Sequence, residues 1–416
     1  MALSRVLMQL RPILAALRRH KVATALIVLQ VALTLAVTSN ALFIVATRMV
    51  HLSRPTGTDE AHIFVIRNEW KSGQSAAQID ANIRADLDAL RDVPGVHDAF
   101  SSEAFPLEGG GGIPVGVKLK PEQTTRPKLS LAYLADDHAI NTLGVSLVAG
   151  RNFRPEEITA IGPYDKISPP VIIIARSLAK KLFPEGSALG RTVYLPGGPA
   201  TVVGILASLQ GPYAGSTTRS IDEDSILVPA RWLDPEGVVY LVRTDAAITP
   251  MIGTALKALH ARGAGRLMDP EDGVLTLLQA RERGYATDRS VATLMISICG
   301  LLLLATAGGI VGLSSFWVSQ RRRQIGVRRS LGATTGDILR YFHAENFLIV
   351  SGGIVLGTLL AFLANLGLMH IYELPRMPLY LPLLGSLLLW LLGQLAVWGP
   401  ARYAAKVSPV FAIRSE

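Results

Sequence analysis

Few residues of this sequence have the types and spacing that chemistry requires. Asp136, Asp137 and His138 are the acidic and imidazole cluster that stands out, and we interpret it as a polar surface turn, with a metal site as the alternative. The glycine run 109–112 is followed by Ile113 and Pro114 and lacks the Gly-Lys-Ser/Thr of a P-loop, so it predicts a turn. No HExxH, paired CxxC or GxSxG motif occurs. The sequence therefore indicates a chain that does not itself hydrolyse ATP or process a substrate.

Four long apolar runs dominate the rest of the chain. Hydrophobic residues make up 50% of the 416 residues, charged residues 18%, and the mean hydropathy is +0.36, which is too apolar for an ordinary soluble protein. Each run lacks Asp, Glu, Lys and Arg and is long enough to cross a bilayer core of about 30 Å. The first run is longer than a signal-peptide core, so we expect an uncleaved anchor. The predicted spans are TM1 at 22–47, TM2 at 290–318, TM3 at 346–369 and TM4 at 377–401.

The basic residues are confined to one side of these spans. Residues 1–21 hold five basic and no acidic residues, 321–345 hold six and two, and 402–416 hold three and one. The region 48–289 holds 26 basic and 28 acidic residues, and the loop 370–376 is neutral. Because short cytoplasmic flanks are enriched in Lys and Arg, we expect both termini inside and the large region outside. Attraction to membrane lipids then accounts for the net charge of +9 and argues against a nucleic-acid partner.

The region 48–289 is predicted to be an α/β domain that an insertion interrupts. Its two ends repeat one order of elements, strand, amphipathic helix and extended chain, first over 61–101 and again from 238. The middle is richer in glycine, proline and short β-like runs, including a buried strand at 170–175, a short helix at 177–182 and a hairpin at 192–206. We therefore expect a split α/β module with an inserted β-rich subdomain.

The segment between TM2 and TM3, QRRRQIGVRRSLGATTGDILR at 320–340, is basic and punctuated by glycine. The TM2 helix is predicted to continue past the bilayer and to end near Leu331 and Gly332, because glycine suits a C-cap. Thr334 and Asp337 have the spacing of a capping box that starts the next helix. We name residues 319–345 the coupling elbow and expect it to project into the cytoplasm, the alternative being a basic turn held at the lipid head groups.

Residues 325–349, IGVRRSLGATTGDILRYFHAENFLI, resemble the signature that joins the second and third spans of MacB/FtsX-like permeases, the membrane subunits of type VII ABC transporters. Segments 131–153, 177–195, 201–208 and 400–414 are similar, in the same order, to the periplasmic core and C-terminal tail of that family. The resemblance therefore covers most of the chain.

This resemblance implies a fold with four transmembrane helices plus a large α/β periplasmic domain, made of a split porter-like module (about 60–128 and 228–280) and an inserted β-rich subdomain (about 129–227). It implies a multi-pass protein of the bacterial inner membrane. It also implies a separate ABC ATPase that binds ATP, with no cofactor or metal in this chain, and a second permease copy or paralogue as dimer partner. A periplasmic adaptor and an outer-membrane channel are further expected partners.

The family motif also assigns the residues that would contact the ATPase. The family usually has an acidic residue where this chain has Gln324, so the resemblance predicts that a salt bridge there is missing or replaced by a hydrogen bond. The matching positions are Arg323, Gln324, Ile325, Gly326, Arg328, Gly332, Ala333, Asp337 and Glu345.

The expected function is mechanotransmission, in which ATP hydrolysis by the partner moves the periplasmic domain. Few polar residues lie in the spans, which suits packed levers better than a conduit. Export of antimicrobial peptides, macrolide-like drugs or similar compounds is our first expectation. Lipoprotein release and regulation of cell-wall hydrolases share the architecture and stay open, as does a membrane sensor or scaffold without an ATPase.

Overall fold

A computed structural model describes residues 21–71, 73–213, 221–263, 265–372 and 375–405. These residues form two compact units. The first consists of the helix Lys21–Leu52 and of the described residues between Asp288 and Ala405, and the second consists of the described residues of Ser53–Thr287. The two units correspond to the membrane-spanning and outer regions that the apolar runs and the charges predict.

The first unit contains four helices that are long and apolar enough to span a membrane. The helices α1, α9 and α10 pack together around a common core, to which α7 adds Ile310, Trp317 and Val318 from the narrow stripe of side chains that it buries. Glycine allows α9 to pack closely on α1, because an added Cβ at Gly353 or Gly357 would lie within 3 Å of α1 atoms. The helices of this unit are α1 (Lys21–Leu52), α7 (Ala286–Gln320), α8 (Arg322–Ser330), α9 (Thr335–Tyr372) and α10 (Tyr380–Ala405).

These helices are longer than the apolar runs that predict them. The largest difference is at α9, which begins at Thr335, whereas the charge-free run that predicts TM3 begins at residue 346. Asp337, Arg340 and Glu345 lie in the first turns of α9. A charge-free run therefore marks the part of a helix that crosses the bilayer core, and the helix itself extends beyond that run. The coupling elbow therefore consists of the end of α7, the short helix α8, a turn and the beginning of α9.

The second unit contains a five-stranded sheet of the split β-α-β kind. Strands β1 (Ile63–Trp70) and β2 (Val96–Ser102) both run antiparallel to β11 (Val238–Thr244), which lies between them, and helix α2 (Ala76–Arg91) connects them. The second half repeats this arrangement, since helix α5 (Ile248–Ala261) joins β11 to β12 (Arg266–Leu267) on the other side of β1. Strand β13 (Val274–Thr276) also pairs with β1 and precedes helix α6 (Leu277–Gly284). Helices α2 and α5 cover one face of this sheet around Ile79, Ile83 and Leu259.

The inserted subdomain is an eight-stranded mixed sheet with the order β3-β4-β10-β7-β9-β5. Alternate residues of its strands face two different cores, as Ile172 and Ile174 do on one side and Ile173 on the other. One core lies under helix α4, and the other lies against the first sheet. Its elements are β3 (Ile113–Val117), β4 (Lys128–Ala135), α3 (Ala139–Leu143), β5 (Leu147–Gly150), β6 (Thr159–Ile161), β7 (Val171–Ala175), α4 (Arg176–Leu182), β8 (Thr192–Leu195), β9 (Gly198–Leu206) and β10 (Ser225–Trp232), with a 3-10 turn at Pro155–Glu157.

The strand pairing moves the borders of the inserted subdomain. Strand β3 pairs with β4 and not with the first sheet, so the insertion begins near residue 113 and not near 129. Strand β10 continues through Trp232, so the insertion also ends later than residue 227. Short β-like runs carry no information on which sheet they join, because pairing depends on residues far apart in the chain. The fold class itself, four candidate membrane helices and a β-rich outer domain with a split module, is confirmed.

Candidate coupling site

The coupling elbow has the local structure that its glycine and threonine predict. Helix α8 follows α7 after a break at Arg321, and Gly332 has a φ of +95°, the left-handed conformation of a helix C-cap. The amide of Asp337 donates to Thr334 Oγ1 at 3.2 Å, and the amide of Thr334 donates to Asp337 Oδ2 at 3.0 Å. The predicted capping box is therefore present, and Asp337 uses its carboxylate to start α9.

One face of the coupling elbow is built into the helical unit. Ile325 is buried in the core that contains Ile338 and Phe342 of α9 and Ala401 of α10. Gly326 is buried beside it. Two of the residues that the family motif assigns to the ATPase contact are thus packing residues, which fix α8 to the helices that it connects.

Glu345 is also internal. Its two carboxylate oxygens accept hydrogen bonds from Arg321 Nη1 at 3.0 and 3.1 Å, and only 2% of the side chain is exposed. The Arg321 guanidinium lies 5.8 Å from the centre of the Trp317 ring. Glu345 therefore ties the end of α7 to α9, and an effect of this residue on an ATPase would pass through the position of the helices.

The opposite face of α8 is open. Gln324, Val327, Arg328 and Leu331 have the i, i+3, i+4, i+7 spacing of one helix face, and all four are exposed. Two of them are aliphatic, with Val327 46% and Leu331 82% exposed. The Arg328 guanidinium lies 5.0 Å from the centre of the Tyr341 ring, which orients it along this face. We name these four residues the elbow face.

The remaining motif residues lie around the turn. Gly332 is exposed, Ala333 is half-buried, and the amide of Ala333 donates to the Arg328 carbonyl at 3.1 Å. The side chain of Arg323 lies outside the described residues. Val327 and Leu331 do not belong to the assigned set, although helical spacing from Gln324 would have placed them on the same face. Their role as ATPase contacts, like that of the motif residues, stays a prediction.

The two linkers that lead to α1 and α7 converge on one segment of the outer domain. The amide of Gln210 donates to the Thr56 carbonyl of the first linker at 2.8 Å, and Gln210 Nε2 donates to the Tyr285 hydroxyl of the second linker at 2.8 Å. The Tyr133 hydroxyl of β4 donates to the Gln210 carbonyl at 2.8 Å. Gln210 and Tyr285 are both buried. We name residues 53–60, 207–213 and 277–285 the clasp.

Further contacts hold the linkers of the clasp together. Arg281 Nη1 is 2.6 Å from Glu60 Oε1, Arg281 Nη2 donates to the Arg54 carbonyl at 2.6 Å, and the guanidinium lies 5.5 Å from the centre of the Tyr285 ring. Gly57 approaches Ser208 so closely that an added Cβ would lie 2.3 Å from the Ser208 carbonyl oxygen. The clasp thus joins the two linkers to the inserted subdomain and not only to the first sheet.

A buried carboxyl group lies where β2 meets the inserted sheet. Glu103 Oε2 accepts hydrogen bonds from the amide of Leu134 at 2.9 Å and from Ser102 Oγ at 3.0 Å. Burial raises the pKa of Glu103 to about 8, and burial also raises the pKa of neighbouring Glu108 against the opposing effect of Arg67. The junction of the two sheets therefore holds a carboxyl group that is largely protonated at neutral pH.

The Asp136 and His138 cluster is a structural network. Asp136 Oδ2 lies 3.3 Å from Arg91 Nη2, and His138 Nδ1 lies 2.8 Å from Asp98 Oδ1. Burial raises the pKa of Asp136 to about 6. Within the described part of the chain, no group of three His, Cys, Asp or Glu side chains could hold a metal ion. The metal alternative of the sequence analysis therefore has no support here.

Two families of known proteins match this chain. The MacB-like periplasmic core domain matches residues 24–258, and the FtsX-like permease C-terminal domain matches residues 296–409. The second match contains the coupling elbow, and the first contains most of the clasp. Together the two matches account for both structural units.

Individual relatives have low sequence identity to this chain but match more than half of its length. An uncharacterised ABC transporter permease, YknZ of Bacillus subtilis, is 23% identical over 88% of this chain and 87% of its own. The macrolide export ATP-binding/permease protein MacB of Chromobacterium violaceum is 24% identical over 66% of this chain, and the pyoverdine export ATP-binding/permease protein PvdT of Pseudomonas entomophila is 29% identical over 59%. This chain spans only 41% and 38% of the length of those two proteins.

Solved structures of outer domains are similar to this chain as well. The extracellular domain of YknZ from Gram-positive bacteria covers 51% of this chain and 98% of its own, at 16% identity and a TM-score of 0.31. The periplasmic region of MacB from Actinobacillus actinomycetemcomitans covers 56% of this chain and 97% of its own, at 11% identity and a TM-score of 0.34.

Proposed function

The chain belongs to the MacB/FtsX-type family of ABC transporter permeases, and from this membership we propose that it couples ATP hydrolysis by a separate ATPase to motion of its outer domain. Permeases of this family work with ABC ATPase partners. The observation that carries the proposal is the division of the coupling elbow into an anchored face and an open face. Ile325 and Glu345 fix the elbow to the helices, while Val327 and Leu331 expose aliphatic surface.

This division is what a lever requires. A partner that binds the elbow face pushes on α8, and the buried contact of Ile325 and the Arg321–Glu345 ion pair pass the movement to α7 and α9. A loop that merely lay on the lipid head groups would need neither contact. Exposed aliphatic side chains beside an arginine also have the composition of a protein-binding surface.

The clasp supplies the other end of the proposed path. The chain leaves α1 at Leu52 and enters α7 at Ala286, so any tilt of these helices pulls on the two linkers. Both linkers are hydrogen-bonded to Gln210, so the pull reaches the inserted subdomain. In this mechanism the outer domain rearranges in response to ATP and pushes or releases a client.

The client class follows from the relatives and is part of the proposal. MacB and PvdT relatives are named for export of macrolides and of pyoverdine. We therefore propose export of peptides, macrolide-like drugs or similar compounds across the envelope of a bacterium. In this arrangement both termini and the coupling elbow are cytoplasmic, a second permease copy or paralogue completes the transporter, and an adaptor and an outer-membrane channel receive the client.

The elbow face gives the sharpest test. The wild-type chain should co-purify with an ABC ATP-binding subunit, and Leu331→Asp and Val327→Asp should weaken that complex roughly 30-fold or more, because each places a charge in the buried part of an interface. Both positions are exposed, so the fold should tolerate the changes. Val148→Asp in β5, at a similar exposure of 48%, is the matched control and should retain the complex.

Three outcomes decide the proposal. Selective loss of binding in the elbow variants supports it. If no ATP-binding subunit accompanies the wild-type chain, the chain does not act with a separate ATPase. If the elbow variants bind as tightly as Val148→Asp, the partner does not use the elbow face.

A further inference from the structure

A groove of about 790 Å³ lies on the inserted subdomain, between the loop that joins β3 to β4 and the end of α4. This volume is within the range of small-molecule sites. Its apolar lining includes Val117, Leu119 and Leu182, and its charged lining consists of Lys120, Arg126, Lys128 and Lys181 with the single acid Glu122. The groove is far in sequence from the coupling elbow and contains none of the clasp residues.

The positive charge of the outer domain is concentrated around this groove. The segments 113–128 and 176–182 that form it hold seven basic residues and one acidic residue. The rest of the region 48–289 holds 19 basic and 27 acidic residues. A cleft lined by charge of one sign raises the local concentration of ligands of the opposite sign. The groove is thus a cationic site on an otherwise acidic domain.

The cations of the groove also differ from those of the first sheet in their partners. Arg243 and Arg266 of the first sheet form ion pairs with Asp59 and Asp86. In the part of the chain that the structure describes, no carboxylate lies within ion-pair distance of Lys120, Arg126 or Lys128. Lys181 does pair with Asp224, yet 45% of its side chain is exposed. The groove therefore presents three exposed cations that form no ion pair with a described carboxylate, so all three can bind an anion from solution.

We propose that this groove binds a soluble ligand that carries at least two carboxylate or phosphate groups beside an apolar part. The loop and the first residue of β4 supply Lys120, Arg126 and Lys128 for the anionic groups, and Lys181, which pairs with Asp224, lies on the α4 side of the groove. The guanidinium of Arg126 matches the geometry of carboxylate and phosphate oxygens. The aliphatic side chain of Leu119, which is 39% exposed, contacts the apolar part, and the buried side chains of Val117 and Leu182 lie beneath it.

The probe is a rhodamine-labelled peptide of alternating Glu and Leu residues, titrated with the full chain in phosphatidylcholine nanodiscs and followed by fluorescence anisotropy. A peptide with phosphoserine in place of Glu tests the phosphate class, and a peptide with Gln in place of Glu tests the need for charge. At least one of the two anionic peptides should bind, the Gln peptide should bind roughly tenfold more weakly or worse, and the affinity should fall with added salt.

The variant Lys120→Glu, Arg126→Glu, Lys128→Glu should lose at least about tenfold in affinity. Its matched control reverses three exposed lysines outside the groove, Lys71, Lys166 and Lys257, and changes the net charge by the same amount. If the reversed chain is poorly folded, the corresponding three Gln substitutions give the same comparison.

Retained binding in the control and loss in the groove variant support the site. Equal losses in both would mean that overall charge attracts the peptide, and absence of binding to the wild-type chain up to millimolar concentration would mean that no such site exists; either result overturns the proposal. Neither result tests the coupling elbow, so failure of the groove proposal would leave the proposed function unchanged.

Discussion

Replacing Gly57 by alanine should open the clasp selectively, and Gly73→Ala provides a matched control. Both glycines have a positive φ, +85° at Gly57 and +94° at Gly73, so alanine at either position costs about 1–2 kcal/mol of backbone strain. The surroundings differ. An added Cβ at Gly57 would lie 2.3 Å from the Ser208 carbonyl oxygen, whereas nothing lies within 4 Å at Gly73.

The difference in the free energy of local opening between the two variants reports the contacts of the clasp, because the backbone strain is common to both. Overpacking against Ser208 adds about 1–3 kcal/mol, and displacement of the first linker removes the hydrogen bond between the Gln210 amide and the Thr56 carbonyl, worth about 1 kcal/mol. Gly57→Ala should therefore favour local opening by about 2–4 kcal/mol more than Gly73→Ala, which is roughly a 30-fold to 1,000-fold increase in the open population.

Hydrogen exchange of the full chain in nanodiscs measures this opening directly. Peptides that contain residues 53–60 and 207–213 should exchange faster in Gly57→Ala, since the Gln210 amide loses its acceptor, and should be unchanged in Gly73→Ala. With the ATPase bound, ATP-dependent changes of exchange in the inserted subdomain should also disappear in Gly57→Ala only. Equal exchange of residues 207–213 in the two variants would refute the clasp as a link.

The other predictions concern burial and charge. Burial raises the folded pKa of Glu103 to about 8 from its ordinary 4.5, so the contribution of Glu103 to stability is complete below about pH 4.5 and is lost as the pH rises through 8. The titratable groups that face Glu103 are Glu108 and Tyr133. The variant Glu103→Gln should flatten this pH dependence of the free energy of unfolding, measured with denaturant. Asp86 is fully buried between Arg262 and Arg266, so Asp86→Ala should destabilise the outer domain by about 3–5 kcal/mol in thermal or denaturant unfolding, and a loss below 1 kcal/mol would contradict this ion-pair cluster. Ile325→Ala should cost about 2–4 kcal/mol of stability in detergent and loosen α8, whereas Leu331→Ala should change stability by less than about 0.5 kcal/mol.

Local signals in the sequence located the elements well. The helix cap at Gly332, the capping box of Thr334 and the hairpin at 192–206 depend on residues within a few positions of each other, and each is present in the structure. The repeated order of strand and helix at the two ends of the outer domain likewise predicted the split module, because the periodicity of an amphipathic helix can be recognised without knowing which residues it packs against.

Contacts between residues that lie far apart in the chain could not be predicted from the sequence. The motif that contains Ile325 and Glu345 does not reveal that both side chains face the helices, because an apolar or charged residue beside a membrane is as compatible with a docking surface as with a core. The clasp joins Thr56, Gln210 and Tyr285, which are separated by 154 and 75 positions and match no local pattern. The sequence placed residues 113–117 in the porter-like module for the same reason, although β3 pairs with β4 of the inserted sheet.

Helix α7 connects the two ends of the proposed path, and its packing suits that position. It begins directly after Tyr285 of the clasp and ends at Gln320, next to Arg321, which binds Glu345. Between these points it buries one narrow stripe, and specific polar contacts to α1 hold it, including Thr34 Oγ1 to Thr306 Oγ1 at 2.8 Å and Gln30 Nε2 to the Ala305 carbonyl at 3.0 Å.

Apart from buried residues such as Ile310, Trp317 and Val318, most of α7 is not buried within this unit, so a shift of α7 along α1 disturbs fewer apolar contacts than a shift of α9 would. The outward aliphatic side chains, such as Leu301 and Leu304, would contact lipid or a second copy in either position. Helices α1 and α9 pack against each other closely at Gly353 and Gly357 and have less of this freedom. A movement that starts at the elbow face would therefore reach the clasp mainly through α7.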